Sequence, residues 1–177
     1  DLAQRIEREK QKPKISPEKR KKFESWIIFE DENMIAIDKP SGLAVQGGSG
    51  IELSVDDFLF GQELQLVHRL DKDTSGILLI AKNSKSADVL VSHFRNKTIQ
   101  KTYFALVDGT PKAEEIIINI PLRKKLLGKQ EKVRPDHIDG KEAITKFEMV
   151  EAYSEYALVQ LSPVTGRTHQ LRVHCKE

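Results

Sequence analysis

The sequence contains very little cysteine and no long apolar run. Cys175 is the one cysteine among 177 residues, which excludes an internal disulfide and a metal cage made of several thiolates. This composition favours a reducing, cytoplasmic location. No run of about 18 apolar residues is present, so the sequence predicts no membrane-spanning helix. The charged residues 1–5 also lead us to expect no secretory signal.

The chain also lacks a large excess of charge of one sign. Lys and Arg total 29 against 27 Asp and Glu, a formal net charge of +2, too small to indicate a nucleic-acid partner by itself. Residues 1–25 nevertheless carry nine Lys/Arg against five Asp/Glu, and residues 121–146 carry eight against four. Each segment can contact several phosphates if its cations share one face. A solvated surface is the alternative.

The length and a hydrophobic content of 38% predict one globular domain. Residues 1–25 contain two prolines and no hydrophobic period, and we interpret them as a basic polar linker or arm. Residues 26–177 form the predicted domain.

Apolar runs separated by turn residues predict a mixed α+β fold built on a largely antiparallel sheet. The predicted strands are residues 26–29, 34–37, 64–68, 101–107, 116–120, 143–151 and 156–162. The predicted helices are residues 53–60, residues 85–95 with Ser84 as N-cap, and residues 167–174. In the last helix, Arg167, Gln170 and Leu171 are expected to share one face by their i, i+3, i+4 spacing.

The most informative segment is HRLDKDTSG, residues 68–76, which runs directly into the apolar residues 77–81. Asp71 lies in a polar turn that Gly76 closes at the start of a buried strand. Such a turn holds a carboxylate rigidly and lets it face a cleft, as active sites do. For an aspartate without further motifs, a turn-forming or capping role is the alternative.

Four ordered motifs resemble those of the pseudouridine synthases that modify ribosomal and transfer RNA, and more closely the ribosomal large-subunit branch. They are DKPSGLAV (residues 38–45), the segment 68–76, KTYFALV (residues 101–107) and TGRTHQLRVH (residues 165–174). The resemblance covers residues 26–174 and implies the family's mixed α+β catalytic fold. It also implies that the chain converts uridine to pseudouridine in 23S ribosomal RNA. That reaction moves uracil from N1 to C5 attachment on one sugar carbon and needs no metal or organic cofactor. The oligomeric state is open, and a monomer is the default expectation.

The resemblance assigns three catalytic residues. Asp71 is the nucleophile, since carboxylates attack sugar carbons in other enzymes. Arg167 pairs with it and keeps it ionised in a cleft where desolvation raises a carboxyl pKa. Tyr103 stacks on the uracil and places its hydroxyl near the ring carbon that loses a proton. A half-buried strand tyrosine is the alternative for Tyr103 alone.

Four further residues are candidate RNA contacts. Arg69 resembles the arginine that fills the space left by a flipped-out uridine. Leu171 is a pocket wall or a plain core residue. Lys39 is a candidate phosphate contact, and His68 bonds either a phosphate or, as we prefer, the local backbone.

Other functions fit parts of the sequence. Residues 71–76 match the first six places of a calcium loop, but Lys82 occupies the twelfth place, where an acid is required. A metal-assisted aspartyl phosphotransferase needs further acids, and none is apparent. An RNA-binding module without catalysis does not need Asp71, Tyr103 and Arg167 together. Transfer RNA remains the alternative substrate.

The chain also departs from the family it resembles. The stretch between Gly50 and Val67 is short, the chain ends soon after His174, and no upstream basic RNA-binding domain is encoded. We therefore expect a catalytic-domain fragment with weaker affinity and target choice than the full protein.

Overall fold

The computed structural model describes residues 15–48, 50–128 and 130–177. The chain forms two compact units, of which the first ends at Asn96 and the second is Lys97–Glu177. Its helices are α1 (Pro17–Glu24), α2 (Val55–Leu59), α3 (Ser84–Arg95) and α4 (Gln170–His174). Its strands are β1 (Ile27–Glu30), β2 (Met34–Lys39), β3 (Gln65–Leu66), β4 (Gly76–Ala81), β5 (Tyr103–Asp108), β6 (Glu115–Asn119), β7 (Leu122–Leu127), β8 (Gln130–Pro135), β9 (Ile144–Ala152) and β10 (Tyr156–Pro163). The strands pair antiparallel throughout the described residues, which confirms the predicted fold class.

The first unit is built on a sheet with the order β1-β2-β4-β3. The two central strands, β2 and β4, are apolar, and β4 begins at Gly76, the last residue of the 68–76 motif. Their side chains form the core, and Ile37, Leu78 and Ile80 are fully buried. Helix α3 begins one residue earlier than predicted, because the side chain of Asn83 accepts the backbone N–H of Ser86 at 2.9 Å and so caps the helix.

The segment predicted as a basic polar linker or arm contains helix α1, which the sequence did not predict. The Ser16 side chain accepts the N–H of Lys19, and Pro17 occupies the first turn, where its missing N–H has no cost. Phe23 is 4% exposed and stacks on Phe58 with ring centroids 4.8 Å apart. One buried aromatic residue therefore anchors a helix that is otherwise polar. The first 14 residues of the predicted linker lie outside the described part of the chain.

The second unit contains a sheet with the order β5-β10-β9-β6 and a separate two-stranded ribbon, β7-β8. Phe147, Ala157, Val159 and Leu161 form the core of the sheet. The ribbon was not predicted, because its strands are rich in lysine and arginine and show no clear apolar alternation. None of the helices in the described residues is long and apolar enough to cross a membrane.

The last helix begins three residues later than predicted. Helix α4 starts at Gln170, and His169 before it has a left-handed backbone with φ of 52°. Arg167 therefore lies in the preceding loop. The expectation that Arg167 shares a helix face with Gln170 and Leu171 is wrong.

Candidate active site

Asp71 lies in a tight turn between a buried leucine and a central strand of the first unit. Leu70 is 7% exposed, and the carbonyl of Asp71 accepts the N–H of Thr74 at 3.1 Å. Gly76 opens β4 with φ of 112°, a conformation that side-chain-bearing residues rarely adopt. The backbone of the turn that carries half-buried Asp71 is thus constrained at both ends.

Lys39 is the residue that ties this turn to the rest of the unit. Its side chain is fully buried, and its ammonium donates to the carbonyls of Pro40 at 2.9 Å, Leu43 at 2.8 Å and Lys72 at 3.2 Å. An ammonium has three N–H donors, and all are used. The geometry therefore does not support the predicted phosphate contact of Lys39, and it makes this residue a support for the turn.

The charge of Lys39 also matters for the carboxylates beside it. Burial lowers the pKa of the Lys39 ammonium, and the attraction of Asp73 and then Asp71 acts in the opposite direction. The lysine is therefore a cation held close to Asp71 within the same unit. Sequence reasoning gave this electrostatic role to Arg167 alone.

Two further hydrogen bonds join the Lys39 loop to the turn of Asp71. The N–H of Gly42 donates to the carbonyl of Lys72 at 2.9 Å, and the hydroxyl of Ser41 donates to the carbonyl of Asp73 at 2.8 Å. Together with Lys39 they connect the two loops at several points. Motion of Asp71 relative to the sheet requires breaking these bonds.

His68 has the structural role that we preferred for it. Its Nε2 accepts the backbone N–H of Leu79 at 2.8 Å, and its ring stacks on Phe94 with centroids 4.3 Å apart. A backbone N–H can only donate, so Nε2 carries no proton and the neutral ring is protonated on Nδ1. Arg69, the next residue, is exposed.

Tyr103 and Leu171 are brought together in the second unit. Tyr103 is the first residue of β5 and is half-buried, and both side chains pack against the core cluster of Phe147, Val159 and Leu161. The two candidate pocket residues therefore lie on the same side of this sheet.

Arg167 is held at two points although it is exposed. Its Nε donates to the carbonyl of Glu142 at 2.9 Å, and its backbone N–H donates to the Gln170 side chain at 2.9 Å. These bonds fix the loop and the stem of the guanidinium. Within the described part of the second unit, its two terminal nitrogens make no hydrogen bond.

Gln170 is a functional candidate that sequence reasoning missed. It is 3% exposed, and its Oε1 accepts both the Arg167 N–H and the Thr165 hydroxyl, the latter at 2.8 Å. Its Nε2 donates to the Ile144 carbonyl and to Thr145 Oγ1, each at 3.0 Å. The signal in the sequence was the spacing of three residues, at which a Gln side chain can reach back to a backbone N–H, here that of Arg167.

The same network continues to His174. Its Nε2 lies 3.1 Å from the carbonyl of Ile120, so this nitrogen must carry the proton, and its Nδ1 then accepts the hydroxyl of Thr145 at 2.9 Å. Burial lowers the pKa of His174, partly offset by the Ile120 carbonyl. With His174 neutral, every hydrogen bond of the network that links it to Arg167 joins a donor to an acceptor.

Lys101 is a second residue whose role the sequence did not reveal. Burial, and then repulsion from Lys97, lower the pKa of its ammonium. A Cβ placed on Gly166 would lie 3.8 Å from Lys101 Nζ, so this ammonium lies beside the Arg167 loop. In the described residues it forms no ion pair.

The candidate residues are divided between the units. Asp71, Arg69, His68 and Lys39 belong to the first unit, and Tyr103, Arg167 and Leu171 belong to the second. The pairing of Asp71 with Arg167 stays a prediction. Within the described part of the chain, no three His, Cys, Asp or Glu side chains cluster in a way that could hold a metal ion. Lys82, at the twelfth place of the calcium-loop pattern, pairs with Glu30 at 2.8 Å.

Comparisons with known sequences point to one family. A family model described as RNA pseudouridylate synthase matches residues 33–177. The ribosomal large subunit pseudouridine synthase C of Vibrio cholerae is 43% identical over 173 residues, which cover 95% of this chain and 54% of that protein. The protein of the same name from Rickettsia bellii is 45% identical over 159 residues, 85% of this chain and 52% of that protein. The chain thus spans about half the length of these curated relatives.

Solved structures with a similar fold carry the same family description. Human RNA pseudouridylate synthase domain containing 4 superposes with a TM-score of 0.72 at 30% identity, covering 88% of this chain and 65% of that chain. Human RNA pseudouridylate synthase domain containing 1 gives a TM-score of 0.71 at 27% identity, covering 84% and 63%.

Proposed function

Because the chain belongs to the RNA pseudouridylate synthase family, we propose that it isomerises uridine to pseudouridine in RNA with Asp71 as the nucleophile. The bond between uracil N1 and the sugar carbon breaks, and a bond from C5 to the same carbon forms. C5 loses a proton and N1 gains one, so atoms balance without an external donor or acceptor. The reaction requires a nucleophile, a group that handles the C5 proton, and a pocket that retains the detached base.

The observation that carries this proposal is the anchored turn of Asp71. A nucleophilic carboxylate works best when its position is fixed before the substrate arrives, since ordering then costs nothing during the reaction. Lys39 and the loop contacts of Ser41 and Gly42 supply that fixation. The Lys39 ammonium also places a buried cation close to Asp73 and Asp71 within the same unit.

The second unit supplies the other proposed catalytic groups. Arg167 is positioned by its bonds to Glu142 and Gln170, and we propose that its terminal guanidinium nitrogens pair with the Asp71 carboxylate. Tyr103, half-buried over the core, stacks on the uracil and places its phenol near C5. Leu171 forms an apolar wall beside Tyr103.

Arg69 is proposed to occupy the space of the flipped-out uridine. A uridine stacked in folded RNA cannot reach a half-buried carboxylate, so it must be extruded at the cost of its stacking. Arg69 is exposed and lies two residues before Asp71, between anchored His68 and buried Leu70. A planar guanidinium there can stack on the bases that flank the gap.

We further propose that the substrate is large-subunit ribosomal RNA. The curated relatives are named ribosomal large subunit pseudouridine synthases. Transfer RNA is an outcome of the test below.

The test compares two aspartates of one turn. Asp71→Asn is expected to abolish pseudouridine formation, measured as tritium released from C5 of labelled uridine in 23S RNA transcripts. Asp73→Asn is the matched control, because Asp73 lies two residues away, is exposed and keeps its backbone contact with Ser41. We expect it to retain activity within a few-fold. Wild-type activity in Asp71→Asn overturns the assignment of the nucleophile, and activity on transfer RNA alone overturns that of the substrate.

A further inference from the structure

The β7-β8 ribbon presents four cations on one face. Arg123 lies directly opposite Arg134, and Lys125 lies directly opposite Lys132. Directly opposed residues of an antiparallel pair project to the same side, and so do residues two apart along a strand. All four side chains are exposed. We call this surface, made of Arg123, Lys125, Lys132 and Arg134, the cationic ribbon face.

This arrangement is unfavourable for the ribbon by itself. Like charges directly opposite each other destabilise an antiparallel pair, and here two such pairs follow one another. The sequence therefore keeps a locally repulsive pattern in an exposed, two-stranded element. An external anion that lies across the face removes this repulsion.

Among the described side chains, acidic residues neutralise only the β7 half of the face. Asp136 accepts Lys125 Nζ at 2.8 Å and lies 3.7 Å from Arg123, and Asp139 also pairs with Arg123. Asp136 is fixed in this role because its other carboxylate oxygen accepts the N–H groups of Ile138 and Asp139. On the β8 half, Lys132 and Arg134 form no ion pair with the described side chains.

The positive surface continues from the base of the ribbon to the Arg167 loop. A cavity of about 430 Å³ lies there, and its lining includes the cations Arg123, Lys124, Lys141 and Arg167. Asp139, which pairs with Arg123, is the one acid among the described lining residues. Lys124 projects from the opposite side of the ribbon, so Arg123 is the member of the cationic ribbon face that connects it to the cavity beside Arg167.

We propose that the cationic ribbon face binds the phosphate backbone of the RNA substrate next to the target uridine. The proposal rests on the proposed function for its choice of RNA as the polyanion. Phosphate contacts of this kind position a nucleic acid without reading its sequence. Lys132 and Arg134 supply the new contacts, and the β7 cations hold the ribbon base beside the cavity.

The experiment measures RNA binding as a function of salt concentration. In the ribbon variant, Lys132→Gln and Arg134→Gln are combined. The matched control combines Lys85→Gln with Arg95→Gln, one Lys and one Arg exposed on α3 of the first unit. Each phosphate contact contributes about 0.7–0.9 to the slope of log affinity against log salt, so the ribbon variant should lose about 1.5. A slope lower by about 1.5 means that the ratio of wild-type to variant affinity is about 30-fold larger at 0.1 M salt than at 1 M salt.

A second readout separates binding from folding. Removing two of the opposed cations is expected to leave the melting temperature unchanged or slightly raised. An unchanged salt slope in the ribbon variant, or an equal loss in the control, overturns the proposal. Failure of the proposed function has a different signature, since wild-type protein then binds RNA without forming pseudouridine.

Discussion

The side-chain carbonyl of Gln170 accepts the backbone N–H of Arg167 at 2.9 Å. The same amide group bonds to Ile144 and Thr145 in the sheet, so the loop that carries Arg167 is connected to β9 through one side chain. The position of the proposed catalytic arginine thus depends on a residue that touches no substrate.

The first prediction concerns this connection. Gln170→Met keeps the side-chain volume but leaves the Arg167 N–H and the Thr165 hydroxyl without their acceptor, at a cost of about 1–3 kcal/mol for each group that stays buried. We expect a lower free energy of unfolding and, at temperatures where the variant is folded, a kcat reduced at least tenfold with KM for RNA unchanged. Urea unfolding and steady-state tritium release measure both.

Arg172→Gln is the control for Gln170→Met, since Arg172 is an exposed residue of the same helix. It should leave kcat unchanged. A Gln170→Met variant that is destabilised but keeps the wild-type kcat would show that Gln170 supports the fold alone and does not position Arg167.

The second prediction concerns Lys39. Lys39→Met removes the donor to three carbonyls, those of Pro40, Leu43 and Lys72, and should lower the free energy of unfolding by at least about 3 kcal/mol. Lys72→Met, which removes an exposed ammonium from the adjacent turn, should cost less than about 0.5 kcal/mol. Equal stability of the two variants in urea would contradict the support role assigned to Lys39.

The sequence predicted the elements whose pattern lies in their own residues and missed those that depend on contacts with distant residues. The strands β2 and β4 were predicted because their apolar residues are continuous and need no knowledge of partners. Helix α1 was missed because it depends on one contact across 35 residues, from Phe23 to Phe58. The ribbon was missed because most of its side chains are charged and show no apolar period. Its strands are held by backbone pairing, and Asp136 organises the turn that follows β8.

In the candidate site, likewise, the sequence predicted the functional residues but not the contacts that hold them in place. Motif resemblance selected Asp71, Tyr103 and Arg167 as residues, but it could not give their supports. The role of Lys39 depends on burial, which a lysine does not predict, since lysine is rarely fully buried. The start of α4 depends on a side-chain hydrogen bond of Gln170 that replaces the expected turn of helix.

The third prediction is a pH dependence of stability due to His174. Burial lowers the pKa of this residue in the folded state, whereas an unfolded histidine has a pKa of about 6.5. The unfolded chain therefore binds the proton more readily, and stability falls as the pH falls. The contribution is complete above about pH 6.5 and is lost as the pH drops below that value towards the folded pKa.

The variant His174→Gln isolates this contribution. It keeps a donor for the Ile120 carbonyl but does not titrate. Between about pH 7.5 and pH 5, the melting temperature of the wild type is expected to fall more steeply than that of the variant. Parallel curves for the two proteins would contradict a neutral, buried His174.

The fourth prediction concerns the turn at the base of the ribbon. A Cβ on Gly140 would lie 2.0 Å from the Asp136 carbonyl oxygen and 2.9 Å from the backbone carbon of Pro121. These are backbone atoms, so Gly140→Ala must displace the turn that holds Asp136 against Lys125. We expect a loss of about 1–3 kcal/mol in the free energy of unfolding, as for other overpacked sites, and weaker RNA binding.

Gly47→Ala is the matched control for Gly140→Ala. A Cβ at Gly47 meets nothing within 4 Å, so the change should leave urea unfolding and RNA affinity within error of the wild type. If Gly140→Ala is as stable as Gly47→Ala, the turn tolerates displacement and Asp136 does not need this backbone geometry. If it is destabilised while RNA affinity is retained, the ribbon base contributes to folding but not to the binding of phosphates.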